Sequence, residues 1–193
     1  MNFLSHLYLA GDSEGLIIGN FIADSVKGSN FNNFSKAIQE GIILHRAIDT
    51  YTDSHEIVEQ SKHRLREKYK KYASVIVDIY YDHFLAKNWN DYSELELSHF
   101  TQNIYKIILK NKSVLPPKSA LFTEYMLHYN ILENYSKMDG IERVLQGMSR
   151  RATFTSNMEH AIHDLEEHFD AFEKEFKIFF PELKAFVKSR IEM

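Results

Sequence analysis

Residues 73–87 read Ala-Ser-Val-Ile-Val-Asp-Ile-Tyr-Tyr-Asp-His-Phe-Leu-Ala-Lys, and the fold turns on how that stretch is taken. Val75, Ile76, Val77, Ile79, Tyr80, Phe84 and Leu85 leave almost no side polar enough to face water. A helix that is apolar nearly all round belongs inside a larger helical assembly. The pattern therefore predicts a central buried helix over 73–87. Three of its residues resist that role. Asp78, Asp82 and His83 are ionisable, and such groups are costly inside a core unless something pairs them. Asp78 and Asp82, four residues apart, share one face.

Working outward, residues 56–69 predict a more polar helix. Residues 35 to about 54 predict a helix with a wide apolar stripe through Ile38, Ile42, Ala47 and Ile48. That helix also carries polar residues beside its stripe, in the run His45-Arg46-Ala47-Ile48-Asp49-Thr50-Tyr51-Thr52-Asp53. His45 and Asp49 point the same way, as do Asp49 and Asp53. Residues 95–110, 121–134, 141–149 and 157–191 predict further helices, with a break at Asp139-Gly140 and an interruption at Pro181. The apolar run 2–9, with His6 in its middle, is too short for periodicity to decide and is taken as helix from its surroundings. Residues 16–24 end an apolar run on Asp24, and Gly19 within that run lets two backbones approach closely. Residues 28–33 form a polar loop. The expectation is a single all-α domain over 1–193, with about seven or eight helices.

Composition narrows the chemistry. Only seven glycines and three prolines interrupt 193 residues, which favours long helices. The absence of cysteine excludes disulfides, thiolate metal sites and a cysteine nucleophile. Any metal would be held by His, Asp and Glu, a donor set suited to harder ions such as Mn²⁺, Mg²⁺ or Fe²⁺, with Co²⁺ and Zn²⁺ also within range. The first residues lack the basic and apolar regions of a signal peptide, and no apolar run is long enough to span a membrane, so a cytoplasmic location is expected. A net charge of −4 argues against general nucleic-acid binding. The charge is uneven, however: Lys62, Arg64, Arg66, Lys68, Lys70 and Lys71 fall within ten residues against one Glu. That run is either a solvated helix face or a docking patch for an acidic partner.

Two helices that each bring His and Asp inward suit a divalent cation, which can clamp a phosphoryl oxygen and lower the pKa of bound water. Taken singly, each His/Asp motif reads first as a salt-bridged pair and only second as a site. Asp24 and His6, lying in other apolar runs, tip the balance towards a site. Arg150-Arg151 would suit a phosphate through bidentate guanidinium bonds, or would simply be solvated. His160, His163 and His168 sit among acidic residues and are read as surface groups. There is no Gly-rich phosphate loop, Gly-x-Ser-x-Gly elbow or His-Glu-x-x-His. The residues alone point to a metal-dependent hydrolase acting on a phosphate ester.

Several ordered motifs add to this. Met1-Asn2-Phe3-Leu4-Ser5-His6-Leu7, Gly19-Asn20-Phe21-Ile22-Ala23-Asp24 and His45 to Asp53 resemble the acyl carrier protein phosphodiesterase family. Asp78 to Leu85, Val144 to Arg151 and Phe179-Phe180-Pro181 continue the likeness across almost the whole chain. The resemblance implies an all-α, HD-like fold, divergent from the HD phosphohydrolases, and a divalent cation with Mn²⁺ preferred. It also implies hydrolysis of the phosphodiester joining 4′-phosphopantetheine to a serine of holo-acyl carrier protein, within fatty acid metabolism.

Candidate roles come from residues and resemblance together. Asp24, His45, Asp49, Asp82 and His83 are the candidate metal ligands, and the HD scheme does not map onto Asp82-His83, which has the reverse order. His6 is a candidate to orient a water or protonate the leaving oxygen. Arg46 or Arg150 would offset charge on the phosphoryl oxygens, with Asp53 and Asp78 as further catalytic candidates. Lys62, Arg64, Arg66, Lys68, Lys70, Lys71 and Arg151 would meet the acidic carrier protein. The alternatives are another HD-type hydrolase acting on a nucleotide or small phosphate ester, and a non-enzymatic helical module that binds an acidic partner.

Overall fold

The computed structural model describes residues 1–192. In chain order its helices are α1 (Phe3–Leu9), α2 (Glu14–Ile22), α3 (Lys36–Ser54), α4 (Glu56–Tyr69), α5 (Ala73–Lys87), α6 (Leu97–Lys110), α7 (Pro117–His128), α8 (Ile131–Asn134), α9 (Met138–Arg151), α10 (Ala161–Glu167) and α11 (Phe169–Ile191). No strand occurs among the described residues. The all-α expectation holds, with more helical segments than seven or eight. The long segments 121–134 and 157–191 each divide, the first after His128 and the second at His168.

Helix α5 lies at the centre, as its pattern predicts. Every residue from Ile79 to Ala86 is buried, and α1, α4, α9 and α11 pack around it. Helix α11 brings Phe172, Phe176 and Phe179 against α5, with the Tyr80 and Phe172 rings 5.0 Å apart edge to face. Contrary to expectation, α11 runs straight through Pro181. An interior proline costs about 3 kcal/mol, but Pro181 faces solvent while Phe179, Phe180, Leu183 and Val187 are buried on either side of it. Each of those side chains returns about 1.5–3 kcal/mol on burial, and the apolar face outweighs the lost hydrogen bond.

Two glycines expected to matter differently prove alike. Gly140, expected to break a helix, lies in the first turn of α9, where a Cβ would come within 2.0 Å of the Asn134 carbonyl oxygen. Gly19 lies on the seam between α2 and α3. A Cβ there would meet the Ile38 carbonyl oxygen at 2.2 Å, and one on Gly41 would meet the Leu16 carbonyl oxygen at 2.6 Å. These two helices therefore touch backbone to backbone. The seam also positions a charged group: Asp24, in the single turn Ala23–Ser25 that ends α2, is carried by it to His45 on α3.

Candidate functional site

Four side chains from separate parts of the chain converge at one end of this seam. His6 comes from α1, Asp24 from the turn after α2, and His45 and Asp49 from successive turns of α3. His6 Nε2 lies 3.0 Å from Asp49 Oδ1, and His45 Nε2 lies 3.1 Å from Asp49 Oδ2 and 3.4 Å from Asp24 Oδ1. The two imidazoles stack at 3.8 Å between centroids, tilted by 13°. Both rings are buried, whereas Asp24 is exposed and Asp49 half-exposed. Asp78 stands nearby: its Oδ1 accepts from the Met1 amino group at 2.9 Å, and that amino group is 3.8 Å from Asp49.

The electrostatics set the two histidines apart. Burial and the neighbouring His45 push His6 down to about 4, even though Asp49 faces it. Burial also acts against charge on His45, but hydrogen bonds to Asp24 and Asp49 outweigh it and push that ring up to about 9. Burial raises Asp49, yet the bonds from His45 and His6 hold its carboxyl far below the usual range. His45 likewise draws Asp24 down. Burial pushes Asp78 up, against the Met1 amino group.

This donor set fits a divalent cation. Ligating atoms of His6, His45 and Asp49 lie within 4.8 Å of one another, and neutral imidazole with carboxylate oxygen suits first-row ions. Nδ1 of His6, Nδ1 of His45 and Oδ1 of Asn20 are buried with no hydrogen-bond partner. Their three residues line the same small cavity of about 20 Å³, room for a single water-sized occupant with polar partners on several sides. Asn20 went unnoticed in the sequence. Its signal was an amide in the middle of the apolar run Leu16 to Ile22.

Other anticipated residues are not brought to the cluster. Asp82 is fully buried and turned towards the start of α1, where it accepts from the backbone N–H of Leu4 at 2.7 Å, the N–H of Ser5 at 3.2 Å and the Ser5 hydroxyl. Those are the amides a capping side chain satisfies, and Asn2 at the cap position makes no such bond. Burial pushes the Asp82 carboxyl up to about 6 despite Ser5. His83 meets the Tyr135 carbonyl through Nδ1, and burial lowers its pKa; a carbonyl only accepts, so Nδ1 is the protonated nitrogen and donates. Arg46 donates to the Val26 carbonyl and stacks on Phe31, which fastens the 26–31 loop. Asp53 pairs with Lys62 at 2.7 Å. Arg150 lines a separate depression with Glu142, Gln146 and His163. The chain's one His-Asp dipeptide, His163-Asp164, takes no part either: His163 is exposed, and Asp164 accepts from Lys68 and the Tyr69 hydroxyl.

The cationic run is also largely engaged. Lys62 is buried against Asp53, Arg64 binds Glu175 through two bonds, Arg66 pairs with Glu59, and Lys68 with Asp164. Only Lys70 and Lys71 have no carboxylate partner among the described residues, and the Lys71 ammonium sits 4.2 Å over the Phe154 ring.

The cluster adjoins a larger cavity of about 450 Å³, with Asp24 on its wall and Lys118 and Arg151 among its lining. Helices that hold two imidazoles and two carboxylates beside a mostly apolar cavity make up the class of all-α protein able to bind a cation and a partly apolar ligand together. Comparison with known proteins supplies the family. The model of the acyl carrier protein phosphodiesterase family matches residues 1–183, and the chain belongs to that family. It is 32% identical over 191 residues to the acyl carrier protein phosphodiesterase of an Enterobacter species, covering 98% of this chain and 99% of that one. Against the Yersinia enterocolitica protein of the same name it is 31% identical over 182 residues, 94% of each. No solved structure matches the chain. None of the helices is long and apolar enough to cross a membrane among the described residues.

Proposed function

We propose that this chain hydrolyses the phosphodiester of holo-acyl carrier protein, releasing 4′-phosphopantetheine and the apo carrier protein. Its relatives, matched over nearly their full lengths, are named acyl carrier protein phosphodiesterase. The observation that carries the reading is the convergence of His6, Asp24, His45 and Asp49 beside the 450 Å³ cavity. These four residues would hold a divalent cation, Mn²⁺ first and Mg²⁺, Fe²⁺ or Co²⁺ after it. When bound there, such an ion would supply Lewis acidity towards the phosphoryl oxygens and towards water.

The remaining work falls to the chain. Asp49 fixes both imidazoles with one carboxylate, so neither ring turns away from the site. Asp24 is the exposed member of the set and the one a ligand meets first. Asp78 keeps the Met1 amino group close, which sets a positive charge beside Asp49. Docking moves from helix α4 to the cavity rim, where Lys118 and Arg151 present positive charge to an acidic carrier protein. A cytoplasmic setting, kinship with HD phosphohydrolases and one domain over 1–193 complete the reading.

The test is incubation with holo-acyl carrier protein and Mn²⁺, followed by intact-protein mass measurement. Conversion to the apo mass is expected, and chelation should stop it. A carrier protein that keeps its prosthetic group throughout would overturn the assignment.

A further inference from the structure

The cavity beside the cluster is a cleft open to solvent with about 450 Å³ of space, within the range of sites that hold a small ligand. Phe3, Phe21, Phe122, Val144 and Met148 form its walls. Four of these five, all but Phe21, are only half-buried although they pack against the hydrophobic core, so their free faces look into the cavity. Phe3 and Phe122 stack at 4.5 Å, which makes one side of the space flat and narrow. Met148 opposite is an unbranched thioether that adapts to what lies against it.

Polar groups occupy particular places. Asp24 belongs both to this cavity and to the small one at His6 and His45, so the reacting end of any occupant lies there. The hydroxyls of Ser25 and Ser119, 2.8 Å apart, stand on the same lining and offer donors and acceptors to an amide. Lys118 and Arg151, both exposed, add positive charge. The occupant that suits these features is slim and largely aliphatic, carries amide groups along its length and ends in an anionic group that meets Asp24 through the cation proposed above.

We propose that this cavity, between α1, α2, α7 and α9, seats the pantetheine arm of the carrier protein while its phosphodiester lies at the cluster. The proposal rests on the function put forward above and makes Phe122, Val144 and Met148 specificity-determining residues rather than catalytic ones. A substrate lacking the arm needs the cluster and not the cavity. The two activities therefore separate.

The experiment compares holo-acyl carrier protein with bis(4-nitrophenyl) phosphate, both with Mn²⁺, for the wild-type chain, Met148→Trp and Val144→Phe. Filling the cavity should lower kcat/KM on holo carrier protein by at least about tenfold, the scale on which shape in an apolar pocket discriminates, and leave the small diester within about twofold. A calorimetric titration of the metal-free proteins with pantetheine, which lacks the phosphate, should show binding to wild type and at least about tenfold weaker binding to Met148→Trp. Equal activity of wild type and both variants on holo carrier protein overturns the cavity assignment. So does equal loss on both substrates, or unchanged binding of the arm. If wild type cleaves the small diester and never the holo carrier protein, the function itself fails, and that result is distinct from all of these.

Discussion

Helices α3 and α5 each carry a histidine and aspartates into the interior, and they use them in opposite ways. On α5, Asp82 meets the open N-terminus of α1 and is occupied by backbone amides, and His83 meets the Tyr135 carbonyl. On α3, His45 and Asp49 form their hydrogen bonds with side chains, those of His6, Asp24 and each other, with the Met1 amino group further off at 3.8 Å from Asp49. Backbone groups inside a protein must be satisfied permanently, so a carboxylate that satisfies them is not available for anything else. Side-chain partners can be exchanged for a ligand. The difference separates structural from functional carboxylates in a single molecule, though both sit in similar apolar surroundings.

The comparison breaks or holds first on Asp49 and Asp82. Asp49→Ala should lower turnover of holo-acyl carrier protein by at least about a hundredfold, while the chain stays folded and loses about 1–3 kcal/mol in urea, because the buried His6 and His45 rings lose a partner. Asp82→Ala should do the reverse in kind. It leaves two buried amides without acceptors and should lower unfolding free energy by about 3 kcal/mol, read from the urea midpoint. A stable but inactive Asp82→Ala, or an unfolded Asp49→Ala, would dissolve the distinction.

Gly41→Ala sharpens it from another direction. The new methyl would press on the Leu16 carbonyl, and overpacking of this kind should cost about 1–3 kcal/mol. Because the seam sets Asp24 against His45, activity should fall further than the fraction unfolded explains, as measured by turnover alongside circular dichroism.

The smallest effect belongs to a carboxylate of neither kind. Glu173 on α11 is held down to about 2, chiefly by its hydrogen bond to Lys87. Its folded value lies below the ordinary 4.5, so its contribution is present above pH 4.5 and lost as pH falls towards 2. Glu173→Gln should flatten stability over that window by less than about 1 kcal/mol, since Lys87 is exposed to screening solvent.

Much of this arrangement was legible in the chain and some was not, for physical reasons. The limits of α4 and α5 come from apolar patterning alone, and the His45–Asp49 pairing comes from helical spacing. What patterning cannot give is the partner of a buried polar group. Asp78, Asp82 and His83 are indistinguishable in sequence as core exceptions, yet one faces an amino group, one a helix terminus and one a carbonyl. The cationic run misleads for the same reason. Its charges look solvated until Asp53, Glu59, Asp164 and Glu175, up to 111 residues away, are folded against them. Pro181 misleads because a local preference of about 3 kcal/mol was set against burial that only the tertiary fold reveals. Asn20 is the one cluster neighbour that a closer reading of an apolar run would have found.

The capping of α1 by Asp82 has a consequence for how the chain comes to life. Helix α1 has seven residues, well short of the roughly 12–15 that hold an isolated helix together in water. The acceptor for its first amides lies 78 residues further on. As the polypeptide emerges from the ribosome, α1 can lie against α2, but the carboxylate that caps its first amides is missing until α5 has been made. A nascent chain shorter than α5 therefore carries all four residues of the cluster without the cap that holds the helix bearing His6.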